Sequence, residues 1–306
     1  MINQEPQTNK TKISVVAVII STIVATMFGG GNIAMKFGLQ GFSPLLFASI
    51  TFTLTSIALY TYSKIAKINL RPHSQKIWRL HLISGALFTI LMASALIGLN
   101  STLASRAEIF IASHPFFVVI LNSIGLDKLG IEKERLSRMK IVGLSICFAG
   151  LLTVFGDRLD AGNTITWVGD ALLITTSFLI ALLILHIRKV TTYVSPIQAT
   201  FWQILFSVPL FYLGTIIFEN PISVNLSPMP IIALFYNGLI VYGLAYVVRA
   251  KLFQLYSANT ISSFLLLSPI IGIFLAHILL GDPLTLGIQL GGLMVTSGVL
   301  IVYSNK

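Results

Sequence analysis

Charged side chains are scarce in this 306-residue sequence, where Asp, Glu, Lys and Arg together account for 10% of the positions. Soluble domains carry about 25% charged residues, whereas 55% of this chain is hydrophobic. Such a chain cannot cover a folded surface with groups that water solvates. The composition therefore excludes a soluble globular protein and predicts an integral membrane protein.

Cysteine is almost lacking as well, since Cys147 is the only one in the sequence. An internal disulfide is excluded, and the five scattered histidines give no zinc-type spacing, so we expect no metal and no cofactor. The HExxH, GxSxG and phosphate-loop signatures are missing, and "WVGD" at 167–170 does not form the GxGD of membrane aspartyl proteases. The sequence predicts no enzyme, and it shows no channel-type selectivity filter.

Long hydrophobic runs fill most of the chain instead. Because backbone groups inside a bilayer must bond within their own segment, such runs predict transmembrane helices. The ten predicted spans cover residues 14–38, 43–63, 79–98, 103–124, 140–156, 166–187, 197–218, 229–248, 257–280 and 284–303. No gap between them is long enough for a soluble domain, and residues 1–12 form a polar tail.

The basic residues are distributed unevenly over the gaps between these spans. Of the 20 Lys and Arg residues, 17 fall in the gaps or tails on one side of the ten spans. The exceptions are Arg158, in a gap on the other side, and Lys36 and Arg106, which lie inside spans. By the positive-inside rule both termini are cytoplasmic. The net charge of +10 thus reflects topology, and we expect no nucleic-acid partner.

Landmarks in the first half of the chain recur in the second half. Ser43-Pro44 recurs as Ser195-Pro196, Pro115 as Pro269, Gly143 as Gly291 and Gly150 as Gly298. A copy with five spans has an odd number of crossings, so the second copy must be inserted in the opposite orientation. The predicted fold is an all-α membrane protein of ten transmembrane helices in two inverted five-helix repeats, residues 14–156 and 166–303, with 1–12 as a cytoplasmic tail.

Several short motifs carry a resemblance to a known family. They are "GGGNIAMK" at 29–36, the two "SP" starts, "SRAEIFIASHPFF" at 105–117, "WVGDALL" at 167–173, "YSANTISSFLLLSP" at 256–269 and "LLGDPLT" at 279–285. In this order and spacing, the chain resembles the EamA-domain family of the drug/metabolite transporter superfamily over nearly its whole length. The pattern departs from the family at Thr51, where many relatives have arginine, and at Asp282, where glutamate is usual.

The resemblance implies a secondary transporter whose spans 1–4 and 6–9 surround a central cavity, with spans 5 and 10 as peripheral supports. It favours an exporter of a small polar or amphipathic metabolite, with an amino-acid-like compound as a mild preference, in the plasma (cell inner) membrane. The expected partners are the small-molecule substrate and the lipid bilayer. The alternative is a multi-span membrane scaffold or partner subunit that transports nothing.

Ionisable residues inside spans cost about 2.5–3.5 kcal/mol each on insertion scales, so each is a candidate for function. Lys36 shares a helix face with Asn32 and is either a pathway residue or a lysine that extends to the interface. Arg106 and Glu108 point about 200° apart on their helix and should not pair with each other. We predict Arg106 in the cavity, held by an anion that is Glu108, Asp170 or the substrate. Glu108 is a candidate proton carrier, which makes proton coupling one option.

Boundary acids and prolines complete the prediction. Asp170 and Asp282 stand at helix starts, where a carboxylate complements the helix dipole. Pro115 and Pro269 should kink their helices and are predicted hinges. His114 either titrates near neutral pH or, as we prefer, is a neutral side chain bonded to a carbonyl that Pro115 frees. The predicted substrate pathway consists of Asn32, Lys36, Thr51, Arg106, Glu108, His114, Trp202, Gln203, Tyr236, Asn237, Tyr242, Tyr246 and Asn259.

Overall fold

The fold is nearly all-helical. A computed structural model describes residues 14–125, 137–157, 167–220, 222, 224–255, 264–265 and 267–304. Within these ranges the only β-type pairing is an isolated bridge between Phe42 and Val224. The predicted tail 1–12 and the pathway candidate Asn259 lie outside the described residues.

Twelve α-helices and one π-helix follow one another along the described chain. The α-helices are α1 (Val15–Gly38), α2 (Pro44–Ile65), α3 (Gln75–Asn100), α4 (Ala104–Ala112), α5 (His114–Ile124), α6 (Arg138–Gly156), α7 (Trp167–Val190), α8 (Pro196–Phe218), α9 (Pro228–Phe235), α10 (Tyr246–Leu255), α11 (Leu267–Leu280) and α12 (Leu286–Ser304). The π-helix, Tyr236–Ala245, joins α9 to α10 without a break. We call the end of the bundle where α1, α3 and α8 finish the outer end, following the charge prediction, and the opposite end the inner end.

Eight segments of the described chain are long and apolar enough to cross a membrane. They are Val15–Gly38, Pro44–Ile65, Gln75–Asn100, Ala104–Ile124, Arg138–Gly156, Trp167–Val190, Pro196–Phe218 and Pro228–Arg249. Two further apolar helices, Leu267–Leu280 and Leu286–Val302, are shorter in their described parts. The prediction of a helical multi-span protein is confirmed, while the count of ten, the inverted repeat and the cytoplasmic termini stay predictions.

Local sequence explains where several helices begin. The side chains of Ser14, Ser74, Ser137 and Ser195 each accept a hydrogen bond from an amide in the first turn of the helix that follows. Such caps satisfy amides that have no partner within the helix. In both "SP" motifs proline occupies the first helical turn, where its missing N–H costs nothing.

Glycines set the closest helix contacts. A β-carbon at Gly29 of α1 would lie 2.6 Å from the carbonyl oxygen of Ser268 in α11. In α6, β-carbons at Gly143 and Gly150 would lie 2.7 and 2.8 Å from the carbonyl oxygens of Gly298 and Gly291 in α12. The first glycine of one helix therefore meets the second glycine of the other, so α6 and α12 run antiparallel. Close helix packing of this kind is a common use of small residues in membranes.

The centre of the bundle is aromatic. Phe52 of α2 is 1% exposed. Its ring centroid lies 4.9 Å from that of Phe88, 5.4 Å from that of Phe211 and 5.1 Å from that of Tyr242. These rings join α2, α3, α8 and the π-helix. On the outside, large apolar side chains such as Ile216 and Phe218 are exposed, as expected for a surface that faces hydrocarbon.

Candidate functional site

A buried ion pair lies near the outer end. Arg106 of α4 and Asp170 of α7 are both 0% exposed, and Arg106 Nη2 lies 2.5 Å from Asp170 Oδ2. Arg106 Nε lies 3.4 Å from Asp170 Oδ1, and the Thr102 hydroxyl donates to the same oxygen at 3.1 Å. Buried charges are expected to be paired and hydrogen-bonded. Of the three anions that the sequence allowed for Arg106, the structure brings Asp170 to it.

The ion pair leaves one hydrogen-bond donor of Arg106 without a partner. Arg106 Nη1 is buried and has no hydrogen-bond partner. Its guanidinium carbon lies 5.7 Å from the ring centroid of Phe110, one turn further along α4. Asp170 stands in the first turn of α7, where it was expected to complement the helix dipole, and it also neutralises a charge on a neighbouring helix. The interaction fixes the orientation of Arg106 between α4 and α7.

Glu108 points into a different interface. Its Oε1 accepts a hydrogen bond from Asn32 Nδ2 of α1 at 3.0 Å, and the residue is 4% exposed. Glu108 also contacts α11. Its carboxyl group lies directly against Gly272, in the space that a β-carbon at that position would need. Arg106 and Glu108 thus face different helices, as their spacing requires. Glu108 lies where α1, α4 and α11 meet.

Lys36 caps the C-terminal end of α3. Its Nζ donates to the carbonyl oxygens of Leu99 at 2.6 Å and Thr102 at 2.7 Å, at and just beyond the C-terminus of α3. Carbonyls there have no partner within the helix, and a cation also complements the negative end of the helix dipole. Lys36 is half-buried, so it lies at the outer end of α1 rather than in the middle of the bundle.

The fourth span is interrupted before Pro115. α4 ends at Ala112 and α5 begins at His114. Proline cannot donate to the carbonyl four residues earlier, which is that of Ile111. His114 Nδ1 lies 3.0 Å from this oxygen, and Ser177 Oγ of α7 donates to it at 3.2 Å. Pro269 stands in the first turn of the described part of α11.

Unpaired polar atoms mark the centre of the bundle. Thr51 of α2 is 1% exposed and Asn237 of the π-helix is 0% exposed. Thr51 Oγ1 and Asn237 Oδ1 have no hydrogen-bond partner. A β-carbon at Gly31 would lie 3.8 Å from Asn237 Oδ1, and one at Gly238 would lie 3.0 Å from the carbonyl oxygen of Thr51. Asn237 Oδ1 therefore lies beside α1, and the backbone of Thr51 in α2 lies against the π-helix.

Three predicted pathway tyrosines lie on the π-helix and at the start of α10. The Tyr236 hydroxyl donates to the carbonyl oxygen of Met27 at 3.0 Å. The Tyr242 hydroxyl lies 3.7 Å from the sulfur of Met92. The ring centroid of Tyr246 lies 5.4 Å from that of Tyr242. Tyr236 thus contacts α1, Tyr242 contacts α3, and Tyr246 packs against Tyr242.

Trp202 belongs to the inner end and not to this centre. Its indole Nε1 donates to the carbonyl oxygen of Leu70, between α2 and α3, at 2.6 Å. Gln203 is buried beside it on α8. Also at this end, Lys76 Nζ donates to the Tyr193 hydroxyl at 2.8 Å. That hydrogen bond lowers the pKa of Tyr193, because it stabilises the phenolate.

Sequence reasoning missed Glu219, which follows the last residue of α8. Its two carboxylate oxygens accept hydrogen bonds from the amides of Leu45 and Leu46, at the start of α2. The available signal was the scarcity of acids, since the chain has 10 Asp and Glu residues in all. Among the described residues, no group of three or more His, Cys, Asp or Glu side chains could hold a metal ion.

Comparison with known proteins assigns the chain to a family. The model of the EamA-like transporter family matches residues 15–156 and again residues 167–304. The uncharacterized transporter YoaV of Bacillus subtilis is 21% identical over 94% of this chain and 96% of its own length. A probable amino-acid metabolite efflux pump of Escherichia coli is 22% identical over 92% of this chain and 93% of its own length.

A solved crystal structure of another protein shares the fold, with a TM-score of 0.66 at 15% identity over 94% of this chain and 96% of that chain. Together with the apolar helices, the family confirms the prediction of an integral, multi-pass protein of the plasma membrane. The chain belongs to the EamA-like transporter family and is a membrane transporter, not an enzyme.

Proposed function

We propose that the protein is a secondary transporter that exports a small polar or amphipathic metabolite by alternating access. An amino-acid-like substrate is the preferred class. The family membership supports the transport function, and the E. coli relative, which is named as a probable amino-acid metabolite efflux pump, supports the substrate class. A membrane scaffold without transport activity is the competing function, and the same experiment tests both.

The proposed architecture is the one that the sequence repeat predicts: ten membrane-spanning helices in two inverted repeats, residues 14–156 and 166–303. Two observations support it. The family model matches the chain twice, once in each half. In addition, Gly143 of α6 lies against Gly298 of α12, and Gly150 lies against Gly291. This antiparallel pairing is expected for two helices related by a two-fold axis in the membrane plane.

Topology can be tested by labelling. In a Cys147→Ser background, a cysteine introduced at Lys67, an exposed residue between α2 and α3, should react with a membrane-impermeant maleimide only from the cytoplasmic side. One at the exposed Asn220, after α8, should react only from outside. Reaction of the cysteine at position 67 from outside alone would reverse the proposed orientation.

The observation that carries the transport proposal is the pair of unpaired oxygens at Thr51 and Asn237. Buried polar atoms are normally hydrogen-bonded, and an unpaired one costs about 1–3 kcal/mol. A substrate with N–H or O–H groups would satisfy both oxygens. They lie between the first half (α1 and α2) and the second half (the π-helix), where an inverted-repeat transporter holds its substrate.

The charges nearby favour a substrate without a large net charge. Arg106 is neutralised by Asp170, and Lys36 is bound to carbonyl oxygens of the α3 terminus. Neither cation is left to hold a strong anion, although Arg106 Nη1 could still donate one hydrogen bond to a carboxylate. A zwitterion such as an amino acid meets this condition.

Glu108 is the residue that we propose for proton coupling. Its carboxylate accepts a hydrogen bond from the side-chain amide of Asn32, and it lies between three helices.

Transport into proteoliposomes tests the site. With a mixture of amino acids and related metabolites, Thr51→Val should reduce the uptake rate about tenfold, which corresponds to one lost hydrogen bond of about 1.4 kcal/mol. Asn237→Leu should act in the same direction. Thr53→Val is the matched control, because the Thr53 hydroxyl already donates to Ser49 within α2.

The outcomes separate the two functions. If no metabolite is transported with or without a proton gradient, the scaffold function gains support. If transport is found and Thr51→Val behaves like Thr53→Val, the protein is a transporter whose site lies elsewhere.

A further inference from the structure

Two carboxylates at the outer end bind the starts of helices in the other half of the chain. Glu219, after α8, accepts from the amides of Leu45 at 2.6 Å and Leu46 at 3.1 Å in α2. Asp282, after α11, accepts from the amide of Ser105 at 2.8 Å and from its hydroxyl at 2.9 Å in α4. Both acids lie in the second half, and both helices lie in the first.

These two helix starts differ from four other starts in the described chain. The starts of α1, α3, α6 and α8 are capped by a serine directly before the helix. The residue before α4 is Leu103, whose side chain cannot accept a hydrogen bond. The first-turn amides of α2 and α4 are satisfied by acids that are far away in sequence, so these caps depend on contact between the halves.

Backbone contacts adjoin the first of these caps. The Asn225 amide donates to the carbonyl oxygen of Gly41 at 2.6 Å, next to the bridge between Phe42 and Val224. At the inner end the halves meet through other groups, such as Trp202 Nε1 donating to the Leu70 carbonyl oxygen. Among the described acids, Glu108, Asp157, Asp170, Glu219 and Asp282, none lies at the inner end. In the described part of the chain, carboxylate caps thus occur at the outer end.

We propose that Glu219 and Asp282 are positioning residues for transport, which hold the outer end closed by capping α2 and α4 across the two halves. The inference rests on the proposed alternating access. A carboxylate at a helix N-terminus gains from both hydrogen bonds and the helix dipole. Both partners lie at the water-facing end, where water can replace these bonds when the halves separate. The contact can therefore break and re-form in each cycle.

Cysteine labelling without substrate tests the inference. Thr51→Cys, in the Cys147→Ser background, places a thiol at a position that is 1% exposed, below the α2 cap. Glu219→Gln and Asp282→Asn should each increase its reaction rate with an impermeant maleimide added outside about five- to tenfold. An amide offers one acceptor oxygen and no charge, so it replaces the carboxylate only in part. The double variant should react faster than either single variant.

Asp157→Asn is the matched control. Asp157, at the end of α6, accepts a hydrogen bond from Thr285 before α12, so it is an outer carboxylate between the two halves that caps neither α2 nor α4. It should leave the labelling rate unchanged. Equal rates in all variants, or an equal increase with Asp157→Asn, would overturn the proposal.

Thermal unfolding in detergent must be measured on the same variants. If labelling increases only in proportion to lost stability, Glu219 and Asp282 are ordinary stabilising caps, and the proposal fails. Because no substrate is needed, a failure to find transport leaves this result interpretable. Conversely, a protein that transports but shows unchanged labelling refutes the positioning role alone.

Discussion

Arg106→Gln and Asp170→Asn should each lower the free energy of unfolding by about 3–5 kcal/mol, the usual cost of removing one partner from a buried ion pair. Arg106 and Asp170 are both 0% exposed and lie 2.5 Å apart, so either change leaves an unpaired charge in the bundle. If Arg106 lined an open cavity, as the sequence predicts, Arg106→Gln would reduce transport far more than folding. The pairing with Asp170 makes a large loss of folding the expected result.

A double variant separates stability from transport. Arg106→Met combined with Asp170→Leu removes both charges and keeps apolar volume, so it should recover most of the lost stability. Detergent thermal unfolding measures this recovery, and uptake per folded protein measures transport. A double variant that is stable but inactive would show that the charge of Arg106 serves transport. A single Arg106→Gln protein that unfolds like the wild type would contradict the ion-pair interpretation.

The parts of the fold that depend on local sequence could be predicted. Hydropathy placed the spans because a bilayer leaves helices as the way to satisfy backbone groups. The prediction that Arg106 and Glu108 point apart needed helix geometry alone. The "SP" starts and the proline in the fourth span likewise act on neighbouring residues, and the structure shows helix starts at Pro44 and Pro196 and an interruption before Pro115.

The partners of these residues could not be predicted, because they depend on how helices distant in sequence pack. Arg106 and Asp170 are 64 positions apart, and Glu219 is 174 positions from Leu45. Nothing near Glu219 in the sequence indicates that it caps α2. A π-helix over Tyr236–Ala245 also leaves no clear composition signal. It changes which residues share a face, so the neighbours of Asn237 and Tyr242 could not be read from α-helical periodicity.

Gly150→Leu should have the other large effect, a loss of folding and transport together. A β-carbon at position 150 would lie 2.8 Å from the carbonyl oxygen of Gly291, and backbone cannot move aside as a flexible side chain can. Added volume in a packed interface costs about 1–3 kcal/mol, and more for a large side chain. In a membrane, where helices gain little from hydrophobic association, loss of this close contact removes much of what holds α6 to α12.

Position 292, on the partner helix α12, provides the matched control. A β-carbon there would lie 3.4 Å from the side chain of Ile273 and 3.5 Å from that of Ile109, which are ordinary contacts. Gly292→Ala should therefore unfold at a temperature close to the wild type, whereas Gly150→Ala should already be destabilised and Gly150→Leu more so. Monomer yield, thermal unfolding in detergent and uptake per folded molecule should fall in parallel in the position-150 series. If uptake falls while stability is unchanged, α6 and α12 take part in transport directly, and their role as a peripheral support is wrong.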